Sequence, residues 1–217
     1  MIRVLIFDAP AWDRREIMRY ARIHGAEDSY DAQIDECIEE AQPQLCYRVC
    51  YTVLPVSPDG IVTIGNETVD SQTIRKAIKD ADEVILFAAT VGAPFDRLIQ
   101  RYSQLSPSKA LILQAIGAER VESLCDAFCE QMNMELNPSG KCLTKRVSPG
   151  YGDIPLSLQK EIFAVLDCPR KIGLTLDESL LMSPSKSVTA IVGIADGCSE
   201  DHNRCNECDK TDCAFRR

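Results

Sequence analysis

The chain has 217 residues, of which 45% are apolar and 26% are charged, and its formal net charge is −9. This composition is typical of a soluble globular domain, and the acidic balance without a clustered Lys/Arg stripe argues against a nucleic-acid partner. No apolar run reaches the roughly 18 residues that a membrane helix needs, and an acid at Asp8 interrupts the first apolar segment too early for a signal peptide. We therefore expect a cytoplasmic protein with no membrane partner.

The first third of the sequence predicts a strand, two helices and a second strand. Residues 2–7 alternate in the manner of a strand, and Asp13 followed by Glu16 forms a capping box that begins a helix. Apolar residues at helical spacing indicate a second helix, which ends at Pro43 because proline cannot continue it. Residues 45–54 are rich in β-forming residues and predict a long strand.

The middle of the chain predicts a buried strand followed by helices. Residues 84–89 form a continuous apolar run, which is consistent with a strand buried on both faces. A short helical stripe comes next. Past Pro107 the longest helical pattern of the chain extends to residues 137–140, where Asn-Pro-Ser-Gly ends it.

The last third is loop-rich, with a helix that ends at Pro169 and a late strand over residues 188–194. Helices and strands that are mixed without strict alternation favour an α+β fold. We expect a single compact domain over residues 1–196, with a largely antiparallel twisted sheet and flanking helices. Residues 197–217 form a separate, cysteine-rich tail.

Residues 146–155 read Arg-Val-Ser-Pro-Gly-Tyr-Gly-Asp-Ile-Pro, which predicts a shaped loop because two glycines and two prolines exclude regular structure. Gly150 and Gly152 allow close approach of the backbone to a ligand and expose amide donors. Arg146 offers a planar fork for a carboxylate, and Tyr151 offers a ring for stacking. These groups suit a small zwitterion that carries an aromatic base. By chemistry alone, a tight connection with one arginine is the more common meaning of such a loop.

The segment Arg-Val-Ser-Pro-Gly-Tyr at residues 146–151 resembles the Arg-x-x-x-Gly-Tyr signature of the activation (reactivation) domain of vitamin B12-dependent methionine synthase. The residues around 15–20 are similar to the stand-alone members of that family. The likeness covers most of residues 12–194. The other motifs that are similar in order and spacing lie at residues 87–92, 171–182 and 184–188.

The resemblance implies a domain that binds S-adenosylmethionine in a shallow groove and caps the corrinoid of a methionine synthase. When that cobalamin is oxidised to cob(II)alamin, methylcobalamin is restored by one electron from a separate donor and a methyl group from S-adenosylmethionine. Positioning two cofactors is then the protein's contribution, so no side chain is expected to act as a catalytic acid or base. The chain would be a subunit of the methyltransferase without independent turnover.

Carried onto this sequence, the resemblance places the methionine carboxylate at Arg146 and the adenosine at the Gly-Tyr pair. An acid on the long helix also faces the site in the family, and Asp126 is the best match for it. The other reading of such an acid is a solvated helix face. The implied S-adenosylmethionine-binding residues are Arg146, Ser148, Gly150, Tyr151, Asp126 and Glu122.

Cobalamin itself is expected on a partner protein. The sequence has no Asp-x-His-x-x-Gly corrinoid-binding motif, and its two histidines are His24 and His202. The implied partner is a cobalamin-dependent methionine synthase that lacks its own activation domain, with flavodoxin or ferredoxin as candidate electron donors.

Four of the 11 cysteines fall within sixteen residues of the tail, at Cys198, Cys205, Cys208 and Cys213. Four thiols at such spacing can close around a tetrahedral metal, and both zinc and an iron–sulfur cluster fit this ligand set. The alternatives are a tail of spare thiols or a redox pair at the Cys-x-x-Cys positions. The remaining cysteines mostly sit in apolar patterns and are expected to be small core residues.

Two other functions fit the same residues. In one, the chain is an electron-transfer module whose tail cluster reduces corrinoid proteins, and the S-adenosylmethionine groove is vestigial. In the other, it is a zinc-stabilised adaptor that only docks onto a corrinoid protein. Ligand binding separates both from the methyl-transfer role.

Overall fold

A computed structural model describes residues 1–23 and 27–197. The strands are β1 (Arg3–Ile6), β2 (Arg48–Pro55), β3 (Val62–Ile64), β4 (Glu67–Val69), β5 (Ala81–Thr90), β6 (Lys141–Leu143), β7 (Thr175–Leu176), β8 (Met182–Ser183) and β9 (Ser187–Asp196). The helices are α1 (Arg14–Tyr20), α2 (Glu27–Ala41), α3 (Gln72–Ala77), α4 (Ala93–Leu105), α5 (Pro107–Leu136), α6 (Gln159–Leu166) and α7 (Cys168–Ile172). No helix in this part of the chain is both long and apolar enough to cross a bilayer.

The centre of the fold is a five-stranded sheet in the order β1-β2-β5-β9-β6, in which every neighbouring pair is antiparallel. The central strand β5 is buried from Val84 to Thr90, as its apolar run predicts, because helices cover both faces of the sheet. The hairpin β3–β4 and the short pair β7–β8 lie outside this sheet. The predicted α+β class with a largely antiparallel sheet is confirmed.

Alternate residues of the sheet enter two separate apolar cores. Phe87 and Val192 face a core that α1, α2, α4 and α5 complete. Leu86 and Ile191 face the opposite core, which is closed by α3, α6, α7 and the β3–β4 hairpin. This alternation is the two-residue period of a strand, and it fixes which side chains of the edge strands face α5.

Several elements begin and end where the sequence predicts. The Asp13 side chain caps α1 by accepting from the Glu16 amide at 3.1 Å, which is one half of the expected capping box, while the Asp13 amide itself donates to Glu119. The predicted ending at Pro169 is wrong in detail. Helix α6 ends earlier, at Leu166, because Asp167 adopts a left-handed conformation (φ 49°), and Pro169 lies instead in the first turn of α7.

Helix α5 passes very close to its neighbours at Gly117. A Cβ atom there would lie 2.6 Å from Cε1 of Phe95 on α4 and 2.7 Å from Cγ of Lys186. Phe95 is fully buried, so its ring has little room to move away. The glycine is therefore a packing requirement in the middle of a helix, where glycine is otherwise disfavoured.

Gly117→Ala is expected to destabilise the fold although alanine is the better helix former. Overpacking costs about 1–3 kcal/mol and the higher helix propensity of alanine offsets about 1 kcal/mol, so we expect a net loss of up to about 2 kcal/mol in urea unfolding. Phe95→Leu introduced with it should recover part of the loss. A more stable single variant would show that the ring moves freely.

Candidate functional site

The position of Arg146 is fixed by the backbone pairing of the residue that follows it, Val147. Val147 exchanges two backbone hydrogen bonds with Ile191 of β9, at 3.0 and 2.8 Å, and so extends the sheet beyond β6. The Val147 side chain packs into the core under α3 and α6. Because successive side chains alternate between faces, Arg146 projects to the other face, towards α5.

On α5, two carboxylates one helical turn apart meet Arg146. Its Nη2 donates to Oε2 of Glu122 at 2.5 Å, and its Nη1 lies 3.7 Å from Oδ1 of Asp126. The Arg146 side chain is 16% exposed, while those of Glu122 and Asp126 are 36% and 52% exposed. The three side chains form an arginine–carboxylate cluster at the surface edge of α5, with the cation innermost.

The cluster leaves one strong donor unused. Nη1 of Arg146 is buried and has no hydrogen-bond partner among the described residues. A buried guanidinium N–H without an acceptor is costly and uncommon in native proteins. An added carboxylate would satisfy this atom, because the planar guanidinium fork matches carboxylate geometry.

The electrostatics keep Arg146 charged and its cysteine neighbours neutral. Burial disfavours the guanidinium charge, but the acidic groups around it, including Glu122 and Asp126, hold the pKa of Arg146 above its ordinary value. Burial raises the pKa of the Cys125 thiol and raises that of Cys129 to about 11. Both thiols are therefore protonated near neutral pH, which fits the expected role of core residues rather than metal ligands.

The loop after Arg146 closes on itself. The Gly150 amide donates to the Ile154 carbonyl at 2.9 Å, and the Tyr151 amide donates to the Ser148 carbonyl at 3.1 Å. The glycine has φ 85°, which the turn requires. Contrary to the expectation that Gly150 offers its amide to a ligand, that amide is used within the loop. Contact with a ligand would therefore come from side chains and the open edge of the turn.

Tyr151 lies at the tip of the loop, where its side chain is 73% exposed. The exposed ring offers an aromatic face and a polar hydroxyl at the surface. Gly150 lies beside Leu156, which is also partly exposed. The tip thus presents an aromatic surface next to the segment that begins at Arg146.

The structure brings the predicted residues together unevenly. Of the two acids, Glu122 is the one in direct contact with Arg146. Asp126, which the sequence motif favoured for this position, lies farther from the guanidinium. Burial first, and the charge of Glu122 second, raise the pKa of the Tyr20 phenol on α1.

The predicted metal ligands Cys198, Cys205, Cys208 and Cys213 lie outside the described residues. Within residues 1–23 and 27–197, no group of three or more His, Cys, Asp or Glu side chains is arranged to hold a metal ion.

The fold is an α+β domain in which the arginine–carboxylate cluster and an exposed aromatic loop lie at one edge of the antiparallel sheet. The family model described as "Vitamin B12 dependent methionine synthase, activation domain" matches residues 71–207, more than half of the chain. The chain belongs to this family. The matched range includes the cluster and the whole Gly-Tyr loop.

A solved structure described as the "Crystal Structure of the MetH Reactivation Domain bound to AdoHcy" is similar in fold. The TM-score is 0.65 at 14% sequence identity, and the superposition covers 93% of this chain and 80% of that chain. No curated protein sequence matches the chain significantly. The structural likeness extends over residues N-terminal to the family match, which supports one continuous fold.

Proposed function

We propose that the chain binds S-adenosylmethionine at the arginine–carboxylate cluster and supports reductive methylation of cob(II)alamin on a cobalamin-dependent methionine synthase. The observation that carries this proposal is the buried Nη1 of Arg146, which lies beside two carboxylates but has no hydrogen-bond partner among the described residues. Membership of the activation-domain family supports it, as does a fold neighbour that holds AdoHcy.

The charges of the cluster fit an amino acid with a sulfonium group. Arg146 would receive the carboxylate on Nη1 while Glu122 continues to hold Nη2 and fixes the plane of the fork. Asp126, half exposed on the next turn, would face the ammonium or the sulfonium, where an opposite charge is favourable. In the bound state, the positive and negative charges of the three side chains and the ligand then balance.

The adenosine end would lie along the loop. Tyr151 offers an exposed ring on which a purine can stack, and Gly150 has no side chain to keep a ligand away from the turn. The Ser148 hydroxyl is the polar side chain that we propose for contact with the adenosine end. Only four residues of chain separate Arg146 in the cluster from Tyr151 at the tip. A ligand with a carboxylate at one end and a base at the other suits this layout.

The corrinoid would come with the partner. Within this proposal, S-adenosylmethionine supplies the methyl group when bound, and the residues of this chain orient it towards the partner's cobalamin and shield it from water. We propose a methionine synthase without its own activation domain as that partner, with flavodoxin or ferredoxin as the electron donor. The proposed setting is the cytoplasm.

The experiment for ligand binding is calorimetric titration of S-adenosylmethionine into the whole chain. Saturable one-to-one binding is expected, with S-adenosylhomocysteine as a competitor that lacks the sulfonium charge. Glu122→Gln should weaken binding of both compounds because the fork loses its support. Absence of saturable heat for either compound at millimolar concentration would refute the proposed site.

The cysteine tail supports a second candidate function. Four thiols within sixteen residues favour a metal-binding tail over residues 197–217, beside the binding domain over residues 1–196. An iron–sulfur cluster there would make the chain an electron-transfer module, and zinc would make it a docking adaptor. Iron, sulfide and zinc analysis of anaerobically purified protein distinguishes them. Stoichiometric metal that is lost in Cys205→Ser/Cys208→Ser would support the tail site.

A further inference from the structure

The far end of the Gly-Tyr loop, residues 146–155, is held against α3 by the carboxylate of Asp153. Asp153 accepts hydrogen bonds from the Ser71 hydroxyl at 2.5 Å and from the backbone amides of Gln72 and Thr73 at 2.7 and 3.0 Å. Ser71 is the N-cap of α3 and also accepts from the Ile74 amide at 3.2 Å. The first-turn amides of α3 are thus satisfied by the loop and the cap together.

The loop also lies directly against α3 at Gly152. This residue has φ 59°, and a Cβ atom on it would meet Oγ1 of Thr73 at 2.3 Å. Hydrogen bonds from Ser71 first, and then from Thr73 and Gln72, hold the pKa of the Asp153 carboxyl well below its ordinary value. The carboxylate is therefore charged near neutral pH and can accept all three hydrogen bonds.

The position of Tyr151 relative to Arg146 is set mainly through its backbone, because its ring is mostly exposed. Within the loop, its amide donates to the Ser148 carbonyl and its carbonyl accepts from the Ile154 amide. That backbone is tied to β9 through Val147 at one end. At the other end it is tied to α3 through Asp153 and to the core through the buried Ile154.

We infer that Asp153 is a positioning residue for the proposed ligand site, holding Tyr151 at the place where the adenosine end of S-adenosylmethionine stacks. The inference rests on the proposed function for the identity of the ligand. The latch itself, defined as Asp153 with Ser71, Gln72 and Thr73, is a property of the fold. Arg146 would remain in place without the latch, since the ladder with β9 and the contacts to α5 hold it independently.

The test is Asp153→Asn, which replaces one carboxylate oxygen by an amide that cannot accept a hydrogen bond. Affinity for S-adenosylmethionine should fall by up to about tenfold, because a latch weakened by one hydrogen bond holds Tyr151 in the binding position for a smaller fraction of the time. In a Tyr151→Ala background, the same change should have no further effect, because Asp153 acts through the ring. Additive losses in the double variant, or unchanged affinity in the single one, would overturn the positioning role.

Amide hydrogen exchange tests the latch without any ligand. Asp153→Asn should speed exchange at Gln72, Thr73 and the loop amides of Gly150 and Tyr151, while the urea midpoint stays close to that of the wild type. Glu161→Gln is the matched control, since Glu161 accepts from the Asn66 amide at 3.0 Å and should leave the loop amides unchanged. Unchanged exchange in Asp153→Asn refutes the latch. Failure of the wild type to bind S-adenosylmethionine instead refutes the proposed function.

Discussion

Replacing Arg120 by methionine is expected to destabilise the protein by about 3–5 kcal/mol, the usual cost of removing one partner of a buried ion pair. Arg120 and Glu119 are adjacent on α5, and their side chains are 0% and 2% exposed. The guanidinium donates to the Glu119 carboxylate and, at 2.7 Å each, to the carbonyls of Pro10 and Ala11. Removing it leaves a buried negative charge and two unsatisfied carbonyls.

The same pair ties the N-terminal segment to the long helix. The Trp12 ring stacks on Arg120, with 3.9 Å between the guanidinium carbon and the ring centroid, and the Asp13 amide donates to Glu119 at 3.1 Å. Loss of Arg120 should therefore also release the segment that leads into α1. Urea unfolding followed by circular dichroism measures the first effect, and Trp12 fluorescence reports the second.

Two further variants test the physical cause. Glu119→Gln combined with Arg120→Met should recover part of the lost stability, because no uncompensated charge then remains in the core. Arg75→Met removes an exposed ion pair with Asp70 and should change stability by less than about 1 kcal/mol. An Arg120→Met variant no less stable than Arg75→Met would show that the buried pair contributes little to the fold.

Replacing Arg146 by alanine is expected to weaken S-adenosylmethionine binding by about 1.5–3 kcal/mol, or roughly ten- to 150-fold in Kd. The loss follows from removing the Nη1 donor, which has no hydrogen-bond partner among the described residues, and from leaving Glu122 and Asp126 with no cation between them. Equilibrium dialysis with labelled ligand measures it. The fold should survive, since both acids are partly exposed and can be hydrated.

The choice of ligand makes this prediction specific. Methylthioadenosine carries the adenosine but no carboxylate, so its affinity should be the same for the wild type and Arg146→Ala. Arg146→Lys keeps the charge without the planar fork and should recover only part of the affinity for S-adenosylmethionine. Equal losses for both ligands would mean that Arg146 supports the fold of the site rather than the carboxylate.

Much of the architecture can be predicted from apolar patterns that are long enough to show the period of a helix or the burial of a strand. The apolar run of β5 and the helical stripe of α5 predict elements that the structure confirms. Strands of two or three residues, such as β4, β6 and β7, are too short to show alternation, so sequence analysis did not place them. The hairpin turn at Gly65 and the left-handed break at Asp167 depend on local backbone geometry.

Some residues of the candidate site can likewise be predicted from the sequence, and others cannot. Arg146 and Tyr151 are visible in the sequence because they share one short motif. The latch is not visible, because Asp153 and Ser71 are 82 residues apart and meet only through the fold. The Glu119–Arg120 pair is also hidden, since adjacent charged residues on a helix normally indicate an exposed face. Likewise, only the register of α5 against Val147 makes Glu122, rather than Asp126, the direct partner of Arg146.

The most direct test of the proposed function is methyl transfer to a partner's cobalamin. The chain would be mixed anaerobically with a cobalamin-dependent methionine synthase that lacks its activation domain and is held as cob(II)alamin, together with S-adenosylmethionine and a one-electron reductant. We predict conversion of the cob(II)alamin spectrum to that of methylcobalamin, dependent on the chain and strongly reduced in Arg146→Ala. An unchanged cob(II)alamin spectrum, under conditions where the chain binds S-adenosylmethionine, would contradict the proposed role.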